Sequence, residues 1–163
     1  MGRWLTAVAC FLLTSSFLNA NVDIPQEHWV KNRPGGFCFY SAVETIGRWQ
    51  NNPQLKGLVD HYAQWPSVGA DSKDAHACFR ALGVPYHVHE NQTMSWLKKQ
   101  VDDGVPVVCG LWWVHDYHAV VVVDVDEKWV KIIDSNRVDK GYIWINREWW
   151  EWAWAGWCVT VGK

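Results

Sequence analysis

Apolar residues recur at three- and four-residue steps through Phe39, Ala42, Val43, Ile46 and Trp49, the spacing of one buried helix face. Leu55, Leu58, Val59 and Tyr62 predict a second helix within Gln54–Gln64. Ala75, Cys78, Phe79 and Leu82 predict a third, with a start signal at Asp71-Ser72 and a stop at Gly83. Met94–Val101 reads as a short fourth helix, closed by Asp102-Asp103-Gly104. Between these, Tyr86–His89 is extended, with His87 and His89 as polar positions on one strand face. The pattern then changes. Val105–Trp113 and Tyr117–Val125 are dense in valine and tryptophan, as in strands buried on both faces. Trp129–Asp134 and Tyr142–Ile145 continue the sheet. Asn146 can cap a last helix, Arg147–Trp154, before a closing strand, Trp157–Val161. Helices first and an antiparallel sheet afterwards define an α+β chain.

Length and composition narrow the function. The 163 residues suit one domain. A net charge of −2 gives no basic excess, which argues against nucleic acid or an anionic membrane as the main partner. Residues 1–20 read as a secretory signal, with an N-terminal anchor as the alternative. Arg3 supplies the positive start, Trp4–Leu18 the apolar run and Leu18-Asn19-Ala20 the cleavage site. That run falls short of the ~20 residues of a spanning helix. The expected mature domain is 21–163, exported and with no stable membrane association. It keeps Cys38, Cys78, Cys109 and Cys158. No Cys-x-x-Cys pair is present, so a structural zinc site is not expected, and no cofactor is called for. In an oxidising compartment one disulfide can form among Cys78, Cys109 and Cys158, and spacing does not choose the pair.

The chemistry centres on Asn32–Trp49. Arg33 precedes a proline and leaves the helical region. Gly35 and Gly36 permit the positive φ of tight turns. Cys38 therefore sits where a glycine-rich turn becomes a helix. Free backbone N–H groups and the positive end of the helix dipole favour thiolate there, and thiolate is the nucleophile. The alternative is a small buried hydrophobe.

His118 opens the run Ala119–Val123, and a turn at Asp124–Lys128 leads back along Trp129–Asp134. With the hairpin centred on Asp126, residue n faces residue 252 − n, so His118 faces Asp134 at Cβ distances of about 4.5–5.5 Å. Cys38, His118 and Asp134 then form nucleophile, base and orienter. His115 is a rival base, and His115-x-x-His118 a candidate metal pair lacking a third ligand. Asn136 is a rival orienter. Asn32, the only side-chain amide of the turn before Cys38, is the candidate second oxyanion donor beside the Cys38 N–H.

These residues carry a resemblance. Asn32-x5-Cys38, a helix, His118 and Asp134 sixteen residues later resemble the papain-like cysteine peptidases. The chain is most similar to the bacteriocin-processing, double-glycine peptidases and their stand-alone relatives. Gly104-Val105-Pro106-Val107-Val108, Tyr117-His118-Ala119-Val120 and Ile132-Ile133-Asp134 extend the likeness over roughly residues 25–161. That family usually has Gln where this chain has Asn32, and Cys-Gly where it has Cys38-Phe39. The resemblance implies a papain-like peptidase fold, N-terminal helices packed on a C-terminal antiparallel sheet, and an exported cysteine peptidase acting on a peptide or protein substrate. Two other readings stay open. One is a peptidoglycan amidase or endopeptidase of the CHAP type. The other is an inert papain-like binding module whose many tryptophans, concentrated late in the chain from Trp112 to Trp157, form a recognition surface.

Overall fold

The computed structural model describes residues 22–62, 70–113 and 116–162. The signal or anchor segment expected at 1–20 and His115 lie outside the described residues.

Helix α1 spans Cys38–Trp49 and begins at the cysteine itself. Gly35 and Gly36 before it adopt φ of 112° and 85°, the positive values that only glycine reaches without strain. Helix α2 is shorter than its apolar stripe predicts. Pro53–Leu55 forms a separate 3-10 turn, and Gly57 at φ 79° breaks the chain before Leu58–Tyr62. Helix α3 spans Ser72–Leu82. Asp71 caps it through the Lys73 and Asp74 N–H groups, and a left-handed Gly83 ends it. Strand β1, Tyr86–His89, precedes α4, Met94–Asp102. Strands β2 (Val107–Trp113), β3 (Asp116–Val125), β4 (Trp129–Ile133) and β5 (Ile143–Asn146) follow. Asn146 caps α5, Arg147–Ala153, by accepting from the Glu148 and Trp149 N–H groups. Strand β6, Trp154–Val161, starts three residues earlier than predicted.

The sheet runs β1-β6-β2-β3-β4-β5, and all five pairings are antiparallel. The expected α+β papain-like arrangement is thus present, and helices cover both faces of the sheet, as its valine-rich strands require. On the first face α1, α2 and α3 bury Phe39, Val43, Ile46, Leu58 and Phe79 against Val121, Val123 and Val159. On the second, α4 and α5 bury Leu97, Val101 and Trp150 against Val107, Val120 and Val122. Two covered faces explain the near-continuous valine of β3, since alternate residues serve separate cores. Truncating a fully buried phenylalanine such as Phe39 costs about 3–5 kcal/mol, so α1 is firmly seated.

Buried polar groups fix α1 in the same way. Glu44 is 1% exposed, yet both of its oxygens are used. Oε1 accepts from Arg48, and Oε2 accepts from the Val59 N–H at the start of α2. Thr45 Oγ1 accepts from the Val30 N–H. An unpaired buried carboxylate would be expensive; here the carboxylate ties two segments to the helix that carries Cys38.

The β3–β4 register departs from the expectation. Val125 faces Val130 and Asp124 faces Lys131, so paired numbers sum to 255 rather than 252; beyond a bulge, Val122 faces Ile132 and Val121 faces Ile133. The turn is tighter than predicted because Asp126 organises it, its side chain accepting from the Lys128 and Trp129 N–H groups. Hence His118 does not stand directly opposite Asp134, which lies just past the end of β4.

Candidate active site

The contact inferred between His118 and Asp134 exists despite the wrong register. His118 Nε2 lies 2.8 Å from Asp134 Oδ1. The slip from 252 to 254 is even, and an even slip leaves each residue on its own face. A diagonal neighbour then replaces the directly opposed one, within reach of an imidazole. Both side chains are largely buried, 11% and 9% exposed, where such a bond gains from the low dielectric.

Asn136, the rival orienter, meets the Asp134 carboxylate through its backbone. Its backbone N–H donates to the same Asp134 Oδ1 at 2.8 Å. Burial alone would raise the Asp134 pKa; the bonds from His118 and the Asn136 N–H, with the positive charges of His118 and Arg137, hold it below the usual range.

Cys38 is 6% exposed at the first position of α1. The Ala119 N–H lies 3.4 Å from its Sγ, within range for a bond to sulfur. Burial pushes the thiol pKa up. A hydrogen bond from His118, the Ala119 N–H, the His118 charge and the Phe39 N–H outweigh burial, and the thiol titrates below its ordinary 9.0. For His118 burial pushes the pKa down, but the bonds to Asp134 and Cys38 and the charges of both carry it up to about 9. The two shifts share a cause: the Cys38 thiol and the His118 ring each favour the charged form of the other, and the Asp134 carboxylate adds to the shift at His118. The two N–H donors to sulfur belong to the backbone and have no side-chain signature in the sequence.

The cysteine opens onto a cleft of about 650 Å³, within the usual range of a ligand site. Gly110, Trp112, Tyr117 and Trp157 form one part of the wall, and Asp71 and Asp74 at the start of α3 another. Trp112 and Tyr117 are 53% and 55% exposed, with ring centroids 4.1 Å apart. Nothing in the sequence connects the start of α3 to β2, so this wall was not foreseen.

Asn32 is placed elsewhere. It does not line the cleft; it borders a smaller cavity of about 330 Å³ with Arg33, Glu44 and Arg48. Its backbone N–H donates to the Ser135 carbonyl at 2.8 Å, and its Nδ2 to Asn136 Oδ1 at 2.9 Å. The turn before Cys38 is thus fastened to the loop after Asp134. Among the described residues no group of three or more His, Cys, Asp or Glu side chains is placed to hold a metal ion.

No family model matches this sequence, and no curated protein matches it. Solved structures do match. One is a double glycine motif protease from an AMS/PCAT transporter in complex with its leader peptide. It has a TM-score of 0.61 at 15% identity and covers 89% of this chain and 94% of its own. The peptidase domain of Streptococcus ComA, a bifunctional ABC transporter involved in a quorum sensing pathway, gives 0.61 at 12% identity over 82% and 96% of the two chains. The peptidase domain of Streptococcus mutans ComA gives 0.59 at 14% identity over 83% and 99%. The chain shares the fold of these peptidase domains, in agreement with the resemblance drawn from its motifs.

Proposed function

We propose that this chain is a cysteine peptidase that hydrolyses peptide bonds through Cys38, His118 and Asp134. The supporting observation is the buried chain of contacts from the Cys38 sulfur through His118 to Asp134, with Cys38 and His118 both lining a cleft of about 650 Å³. With Nε2 committed to Asp134, His118 Nδ1 serves the sulfur. The thiolate attacks the substrate carbonyl carbon, and the imidazolium returns its proton to the leaving amine. Water, deprotonated by the now neutral imidazole, then releases the acyl group. As first residue of α1, Cys38 has an N–H with no carbonyl four residues back in the helix, so it is one donor to the oxyanion. Export of the domain by residues 1–20 belongs to the same proposal.

The pH profile tests the pair. kcat/KM on a peptide substrate rises with pH as Cys38 loses its proton, at an apparent pKa below the ordinary 9.0. It falls again as His118 loses its proton at about 9. Alkylation of Cys38 by iodoacetamide follows the same acidic limb. A Cys38 that alkylates only as an ordinary thiol, with no turnover, assigns the chain to the inert binding modules. Turnover of purified peptidoglycan in place of peptides assigns it to the wall hydrolases.

Asn32 does not line the cleft in this structure, so its proposed role as second oxyanion donor requires its side chain to turn toward Cys38 when substrate binds. Its Nδ2 carries two hydrogens, and Asn136 takes one. Asn32→Ala is then expected to lower kcat by about 10²–10³ with KM nearly unchanged. Should the variant instead melt early while its folded fraction keeps full kcat, Asn32 serves only to fasten the turn to the loop after Asp134.

A further inference from the structure

Two of the four described cysteines lie outside the chemistry above yet sit directly against each other. Cys109 of β2 and Cys158 of β6 are opposed Cα partners in an antiparallel pairing. Opposed antiparallel residues have Cα atoms about 4.5 or 5.5 Å apart, and both values fall inside the about 4.4–6.8 Å that a disulfide spans. Both side chains are fully buried in the core between the sheet and α4 and α5. Both are free thiols in this structure. Cys78 cannot compete for either. It belongs to the core on the other face of the sheet, with α1 and α3, and the sheet itself stands between.

We propose that Cys109 and Cys158 form a cross-strand disulfide when the chain folds in the presence of a disulfide donor. Their neighbours give the link a place in the site. Gly110 and Trp157 are the next residues along the two strands, and both line the cleft. A Cβ on Gly110 would stand 2.8 Å from the Trp157 ring, so the two strands already meet closely there. The disulfide joins β2 to β6 immediately beneath this part of the cleft wall.

The step is thiol–disulfide exchange. The thiolate of one cysteine attacks a sulfur of the donor, a small-molecule or protein disulfide, and expels one donor thiolate. The second cysteine's thiolate attacks the mixed disulfide and expels the other. Two thiol protons pass to solvent, two electrons pass to the donor, and one S–S bond forms. Both sulfurs are fully buried in the folded chain, out of reach of a donor disulfide, and burial with the neighbouring Cys158 thiol pushes the Cys109 pKa well up. Exchange therefore takes place while β2 and β6 are still assembling.

The test refolds the reduced full-length chain in a glutathione and glutathione disulfide buffer, alkylates the remaining thiols and maps peptides without reduction. The expected product joins Cys109 to Cys158 and leaves Cys78 alkylated. It melts about 10 °C above the reduced protein, from the entropy of the closed loop. Cys158→Ala should abolish that redox-dependent difference. A natively folded product with Cys109 and Cys158 both alkylated overturns the proposal, as does a link from either to Cys78. If refolding fails, the same map is read on native protein held with glutathione disulfide in sub-denaturing urea. The linked pair again supports the proposal, and alkylation of both again overturns it.

Discussion

Cys38→Ala is expected to lose peptide hydrolysis altogether, by a factor on the order of 10⁶ in kcat. The reason is chemical rather than structural. The only group removed is the sulfur, and alanine offers no nucleophile in place of the thiol whose ionised form His118, Ala119 and Phe39 favour. Cys38 occupies the first position of a helix held by Phe39, Val43, Ile46 and the Glu44 network, none of which touches on the identity of the thiol. Stability should therefore change by no more than about 1 kcal/mol, a Tm shift of about 2–4 °C. A second readout accompanies the first. The Cys38 hydrogen bond and charge are among the causes that raise His118 to about 9, so the variant's His118 should titrate lower when followed by NMR. A variant that turns over peptides at the wild-type rate would sink the mechanism.

His118→Ala should be nearly as damaging, lowering kcat/KM by the upper end of about 10²–10⁴ from proton transfer alone. A second loss adds to it. Without the His118 bond and charge, burial dominates at Cys38 and its pKa climbs, so less thiolate exists at neutral pH. Iodoacetamide alkylation at pH 7 should slow in parallel, and the acidic limb of the pH profile should move to higher pH. Stability changes too, with a defined sign. A group whose folded pKa is raised contributes stability fully below its unfolded value, here about 6.5, and loses it as pH rises through about 9. The variant should lack that alkaline loss. It also removes the hydrogen-bond donor that keeps the buried Asp134 carboxylate low, at a cost of about 1–3 kcal/mol. Rates must therefore be compared on the folded fraction. Wild-type kcat/KM in that fraction would move the base to another residue, His115 first.

The β3–β4 hairpin shows how far a pattern reaches and where it stops. Centring the hairpin on Asp126 placed His118 and Asp134 on a common side, and side-chain direction along a strand is a local property with period two. The register was beyond it. One aspartate, Asp126, tightens the turn by capping two backbone N–H groups, and a bulge then resets the count between Val122 and Asp124. Turn geometry of that kind depends on which hydrogen bonds a side chain finds, and several neighbouring residues were equally able to offer them. Parity survived the slip, so the pair still meets.

What the chain dictates by itself is local: where α3, α4 and α5 start, that Cys38 sits at a turn–helix junction, and that the valine-rich strands need cover on both faces. Periodicity, capping residues and positive-φ glycines act over a few residues, so their consequences are readable in order along the sequence. The tertiary structure decided what depends on long-range packing. It put the start of α3 across from Trp112 and Tyr117, supplied the Ala119 N–H to the sulfur, carried Asn32 to Asn136, and set Cys109 against Cys158 while Cys78 went to the other face. None of these pairs is close in sequence. Each follows from how two covered faces and an antiparallel strand order bring distant segments together, which pairwise spacing along a chain does not encode.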